Sequence, residues 1–179
     1  MPYDLDQFVA DCRTSLERDP GPAGREQVRK GLERLLANAD FVKAYCGDDA
    51  SYGVKILYED PKLGFQVLSH CYDGPRTSPP HDHGESWAIY GHAKYTDMTE
   101  WERTENGGPP GHADLKAVKK YRLNPGQVGI YQDGRIHSID YPAKARFVRV
   151  TGVDLEKIPR HKFDIATGEA TRMEARTTN

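Results

Sequence analysis

Ser78-Pro79-Pro80-His81-Asp82-His83-Gly84-Glu85-Ser86-Trp87 is the stretch that orders the rest of the chain. Two histidines stand two residues apart behind a proline pair. In a β-strand, alternate side chains share a face and i to i+2 spans about 6.6–7 Å. The imidazoles of His81 and His83 can therefore reach one metal ion. A pair alone is not a site, because a bound metal needs at least a third protein ligand.

Before this stretch the apolar period is helical. Leu5, Phe8, Val9, Cys12 and Leu16 make one face of a helix over residues 4–18, with Asp4 and Gln7 placed as a capping box. Asp19-Pro20-Gly21-Pro22-Ala23-Gly24 stops it. Val28, Leu32, Leu35, Leu36 and Ala39 mark a second helix over 25–39, and Asp40 caps a short third that ends at Gly47. From Tyr52 onward the period is two. Strands are expected over 54–58, 64–73, 87–90, 93–103, 115–123, 128–131, 136–140 and 146–153. Turns fall at Asp73-Gly74-Pro75, Asn106-Gly107-Gly108-Pro109-Pro110-Gly111, Asn124-Pro125-Gly126-Gln127 and Asp133-Gly134. Short strands separated by such turns indicate a sandwich or barrel. The expected organisation is one mainly β domain: a helical arm over 1–48 packed on a barrel over 52–155, then a polar, peripheral tail over 156–179.

Composition narrows the function. The 179 residues carry a net charge of −2 with both signs interspersed, which gives nucleic acid or an anionic membrane nothing to grip. No run of about 18 apolar residues exists to span a bilayer. Met1-Pro2-Tyr3-Asp4 opens no secretory signal, and the three cysteines are too scattered for a disulfide framework. A cytoplasmic protein acting on a small molecule is expected, with homo-oligomerisation left open.

The seven histidines include one well-placed third ligand, His137, on a turn that leads into a late strand. His112 sits in the Pro/Gly loop and His161 in the tail, where both should be solvated. His70 and His92 fall on strands as ordinary surface or core groups.

With these residues in view, the chain resembles the cupins. Their first motif is Gly, five residues, His-x-His, three or four residues, Glu, six residues, Gly. Here six residues, not five, stand between Gly74 and His81. Their second motif is Gly, five residues, Pro-x-Gly, two residues, His, three residues, Asn. Gly126, Gln132, Gly134, His137 and Tyr141 fall at that spacing, with Gln132 for the proline and Tyr141 for the asparagine. The resemblance runs from about Gly64 to Val153 and implies a double-stranded β-helix, or jelly roll. The cupin glutamate would fall at Trp87 or Ala88, neither of which binds metal. The resemblance therefore implies a three-histidine site of His81, His83 and His137, as in the thiol dioxygenases of the cysteine dioxygenase group. Glu85 has the parity of His83 and ranks behind them as a further ligand. That group's Ser-x-His-x-Tyr falls here on Phe147, Arg149 and Thr151. Its cross-linking cysteine falls near Ile89 or Tyr90 and is absent. Its substrate arginine falls near Lys55.

Imidazole suits iron, zinc and nickel, and open positions suit oxygen chemistry. Three neutral ligands leave iron(II) its full charge for a chelating anion. The expected activity is thus that of a mononuclear Fe(II) dioxygenase using O2 on a small thiol or other chelating anion. Arg149, Lys55 or Arg76 would hold a carboxylate. Trp87, Tyr90 and Tyr141 would line the pocket, with Tyr141 as proton donor. Two other classes stay open: a Lewis-acid isomerase or hydrolase using Zn, Ni or Mn, and a binding module without turnover.

Overall fold

The structure is a computed structural model that describes residues 3–104 and 109–176. The expected loop residues Asn106-Gly107-Gly108 and the final Thr177-Thr178-Asn179 lie outside the described residues.

Three helices precede the strands. α1 spans Leu5–Arg18, and the Asp4 carboxylate caps it by accepting from the Gln7 N–H at 2.9 Å. α2 spans Pro22–Leu36, and so starts earlier than expected. Pro22 is not a breaker there. It sits in the first helical turn, where its missing N–H costs nothing and its fixed φ suits the helix. α3 spans Ala39–Cys46 and is capped by Asn38, not Asp40, through the N–H groups of Asp40 and Phe41.

Among the described residues eleven strands follow, in two antiparallel sheets. One holds β1 (Gly53–Glu59), β2 (Gln66–Cys71), β9 (Arg146–Thr151), β4 (Ala88–His92) and β7 (Val128–Tyr131), in that order. The other holds β11 (Ala170–Met173), β10 (Arg160–Phe163), β3 (Arg76–His81), β8 (Ile136–Tyr141), β5 (Thr96–Arg103) and β6 (Leu115–Leu123), in that order. Strands distant in sequence alternate within each sheet, as in a double-stranded β-helix, so the fold is a cupin-like jelly roll.

The helices cover the outer face of the first sheet. Val67, Ile89, Val148 and Val150 meet Phe8, Leu32, Leu35 and Phe41 in one buried cluster. Contact is close at Gly91 of β4, where an added Cβ would lie 2.7 Å from Leu36 and 2.8 Å from Leu32. The inner face takes the alternate residues. Directly opposed residues of antiparallel strands share a face. One inner row therefore runs Ile56, Leu68, Arg149, Tyr90 across β1, β2, β9 and β4. A second runs Val54, His70, Phe147, His92, with His70 stacked on Phe147 at 4.5 Å.

A buried carboxylate ties α1 to the β1–β2 connection. Asp60 is 2% exposed and accepts from the N–H groups of Lys62 (2.9 Å) and Leu63 (2.7 Å), from Tyr58 Oη (3.0 Å) and from Arg13 Nε (2.5 Å). Burial alone would raise its pKa, but the Leu63 N–H, Arg13 and the Lys62 N–H outweigh burial and hold it at about 2. The folded pKa thus lies below the ordinary carboxylate value. Its contribution is complete above about pH 4 and is lost as pH falls through about 2. Unfolding midpoints should accordingly drop between pH 4 and 2. Asp60→Ala should cost about 2–3 kcal/mol at neutral pH by stranding buried donors, and should flatten that drop.

The C-terminal residues do not behave as a peripheral tail. β10 and β11 form a hairpin, and β10 joins β3 beside His81, through the pair Lys162 and His81. Phe163, 1% exposed, packs with Ile136 and Ala113 behind β8. The Asp164 carboxylate shapes the hairpin turn by accepting from the Ala166 and Thr167 N–H groups. Arg160-His161-Lys162-Phe163 lacks the apolar alternation that would announce a strand, which is why its composition reads as tail.

Candidate metal centre

His81 is the last residue of β3, and it lies directly opposite His137 of β8. The β3–β8 register shifts between Ser78 and His81, in the stretch that holds both prolines. Proline cannot donate to the ladder and is found at strand edges or irregularities. The strand does not continue to His83. Asp82 turns the chain, and Gly84 follows with φ +60°, in the left-handed region. His83 therefore reaches the barrel interior from a turn, not from the same strand face as His81. The three imidazoles converge all the same. Each offers a nitrogen within 4.8 Å of the others, and the ring centroids lie 4.6, 4.9 and 5.3 Å apart. His83 is 1% exposed and His137 is fully buried.

The donor atoms fit a divalent metal. His81 Nδ1 donates to the Pro79 carbonyl at 2.9 Å, which leaves the Nε2 lone pair free. Among the described residues, His83 Nδ1 and both ring nitrogens of His137 are buried without any hydrogen-bond partner. Each such group costs about 1–3 kcal/mol when left unsatisfied, and a metal ion removes part of that cost. Burial depresses the pKa of all three histidines. For His83 and His137 the neighbouring imidazoles add to it and the depression is large. All three are thus neutral at physiological pH, the form that ligates.

The other expected site residues divide. Tyr90 is at the centre: its hydroxyl lies 3.2 Å from His83 Nε2, and its ring lies 5.5 Å from that of His137. Arg149 is inside the barrel, opposite Tyr90 in the register, and its charge acts on all three histidines. Tyr141 is buried elsewhere, stacked on Phe147 at 5.3 Å and edge-on to Tyr72 at 5.4 Å, and among the described residues it has no hydrogen bond to a histidine. Arg76 caps that same aromatic group from outside, 4.5 Å over Tyr72. Trp87 faces away, into the cluster under the helices, with Gly152 against its indole. Lys55 lies on the helix side of β1, 5.6 Å over Tyr45, and is not brought to the histidines. Glu85 is exposed. The turn at Gly84 breaks the strand parity that would have aimed it inward.

Two elements of the centre escape the sequence. Asp82 and His161 clamp the C-terminal hairpin to the His81–His83 segment. The Asp82 N–H donates to the His161 carbonyl at 3.1 Å, and its carboxylate accepts from the His161 N–H (2.8 Å) and pairs with Nδ1 (3.0 Å). His161 is therefore bonded, not simply solvated. The clamp also brings in Arg160, whose charge reaches His81, His83 and Tyr90. Tyr131 closes the far side, its ring 4.0 Å from that of His137. Strand parity around Tyr131 was available as a signal, but for Arg160 there was none.

No family model matches the chain. Solved structures similar to it include KdgF from a Halomonas species, at 16% identity and TM-score 0.41, over 55% of this chain and 74% of that one. The cupin domain of Cnp3 from Schizosaccharomyces pombe aligns at 12% identity and TM-score 0.42, over 56% of this chain and 64% of that one. L-ribose isomerase from Cellulomonas parahominis aligns at 11% identity and TM-score 0.45, over 58% and 61%. Likenesses this distant say nothing of activity, and the class of the protein rests on the strand order and the centre described above: a jelly roll with three histidines converging in its barrel.

Proposed function

We propose that the chain is a mononuclear non-haem iron(II) dioxygenase acting on a small chelating anion, with His81, His83 and His137 as the protein ligands. One observation carries this reading. Three neutral imidazoles converge, two of them buried and His81 partly so, and among the described residues no carboxylate joins them. Iron(II) held there would supply the redox chemistry that lets dioxygen react with an organic anion. An all-neutral ligand set leaves the positive charge of the site for the substrate to balance.

The chain's own groups do the positioning. Pro79 fixes the tautomer of His81. Arg149 presents a guanidinium on the same inner row as Tyr90, where it can orient a substrate carboxylate. The Tyr90 hydroxyl is placed to hold a proton beside His83. Burial raises its pKa and the Arg149 charge opposes that rise, so the group stays protonated at neutral pH. Proton transfer, which the sequence assigned to Tyr141, belongs on this geometry to Tyr90. Tyr90→Phe should lower kcat by about 10²-fold while leaving the metal content of the protein unchanged.

The test is oxygen uptake by protein loaded anaerobically with Fe(II), against small thiols and other chelating acids, with iron assayed on the same sample. Substrate-dependent uptake at one iron per chain is expected. Turnover of a substrate without uptake, supported equally by Zn, Ni or Mn, would replace this reading with a Lewis-acid enzyme. Stoichiometric metal with binding but no product would replace it with a binding module.

A further inference from the structure

Two arginines act on the histidines by their charge, Arg149 from the inner row of the first sheet and Arg160 from β10. Arg149 lies on the inner row between Leu68 and Tyr90, and its Nε is buried with no hydrogen-bond partner among the described residues. Arg160 comes from the opposite sheet, on β10, held beside His81 and His83 by the Asp82–His161 clamp. Among the described residues neither arginine belongs to an ion pair. The nearby carboxylates are committed elsewhere. Asp82 is taken by His161, Glu156 by Arg176 at 2.8 Å, and Glu85 points to solvent.

Two cations partly withdrawn from water, neither in an ion pair among the described residues although the Glu156 charge acts on Arg160, are an unfavourable arrangement for the fold alone. Burial and then the Arg149 charge both lower the pKa of Arg160, so the two groups are close enough to repel. An oxyanion between them would relieve both costs, through charge-assisted and bidentate hydrogen bonds. The inner row that carries Arg149 ends at Ile56, 55% exposed, so this face of the sheet opens to solvent at its β1 edge.

We infer that the pocket takes a small organic dianion, one end directed to the three histidines and a carboxylate or phosphate group held between Arg149 and Arg160. The position of the first end rests on the function proposed above, whereas the oxyanion clamp does not. The inference differs from a single-arginine site because the second cation comes from the C-terminal hairpin. It makes that hairpin part of the binding site.

The experiment uses the full chain, once stripped with a chelator and once loaded with zinc. Succinate, inorganic phosphate and acetate are titrated calorimetrically at constant ionic strength. The variants are Arg149→Gln, Arg160→Gln and Arg160→Lys, with Lys55→Gln as a control outside the barrel. Succinate or phosphate should bind at least tenfold more tightly than acetate, and whichever is tighter names the oxyanion. Arg149→Gln and Arg160→Gln should each weaken that dianion at least tenfold, Arg160→Lys by less, and Lys55→Gln by under twofold. Zinc content should be equal in all. Equal affinity for acetate and the dianions, or an unchanged dianion affinity in Arg160→Gln, would overturn the inference. Clamp binding without zinc uptake would sink the metal reading alone. Zinc uptake without dianion preference would sink the clamp alone.

Discussion

His137→Ala should leave the protein folded and almost free of metal. The side chain is fully buried and makes no hydrogen bond through either ring nitrogen, so it has no polar structural role to lose. Removing it leaves two imidazoles, one on a strand end and one on a turn, with nothing to close the set. Structural zinc sites of four ligands bind with roughly 10–16 kcal/mol, so one ligand is worth about 2.5–4 kcal/mol. The affinity should fall by about 10²–10³-fold, and His81→Ala should fall as far. His70→Ala is the control. His70 is 3% exposed and also has an unpartnered nitrogen, but it stacks on Phe147, away from the centre. That variant should keep one metal per chain. Full occupancy in His137→Ala, measured by elemental analysis after gel filtration, would remove His137 from the ligand set.

Gly84→Ala should damage fold and site together. Gly84 has φ +60°, where a Cβ is strained, and its added Cβ would lie 2.2 Å from the Pro159 carbonyl oxygen. The left-handed conformation alone costs about 1 kcal/mol, and backbone cannot move aside as a side-chain end can. Relief requires the segment before β10 to retreat from the turn that presents His83. We expect a loss of about 2–4 kcal/mol, metal affinity at least tenfold weaker, and faster amide exchange over residues 160–173. A variant with unchanged exchange there would show that the hairpin does not depend on this contact.

Much of the fold could be read in advance because its two periods are clean. The apolar faces of α1 and α2 and the change of period near Tyr52 follow directly from spacing, which goes as far as a sandwich or barrel; the jelly roll itself comes from the cupin resemblance. The three histidines were legible because motif spacing substitutes for geometry when two turns are short. What failed did so for local reasons. Pro22 marks a helix start as readily as a break. Gly84 changes the parity on which Glu85 depended. On β9 both faces are buried, with Val148 and Val150 under the helices and Phe147 and Arg149 inside, so hydrophobicity could not show which way Arg149 points. Lys55 and Trp87 were assigned to the pocket by position along the chain, and the sheet turns both toward the helices. Arg160 was hidden most completely, because a strand of mainly charged residues is set by pairing to β3 and by Asp82, neither visible from its own sequence.

The central claim is that one metal ion sits among His81, His83 and His137. X-ray absorption at the zinc edge, on protein loaded with one equivalent of zinc, addresses it most directly. Three imidazole nitrogens at about 2.0–2.1 Å, reduced to two in His137→Ala, is the predicted result. A first shell with fewer than three imidazoles in the wild-type chain, or one that His137→Ala leaves unchanged, would contradict it.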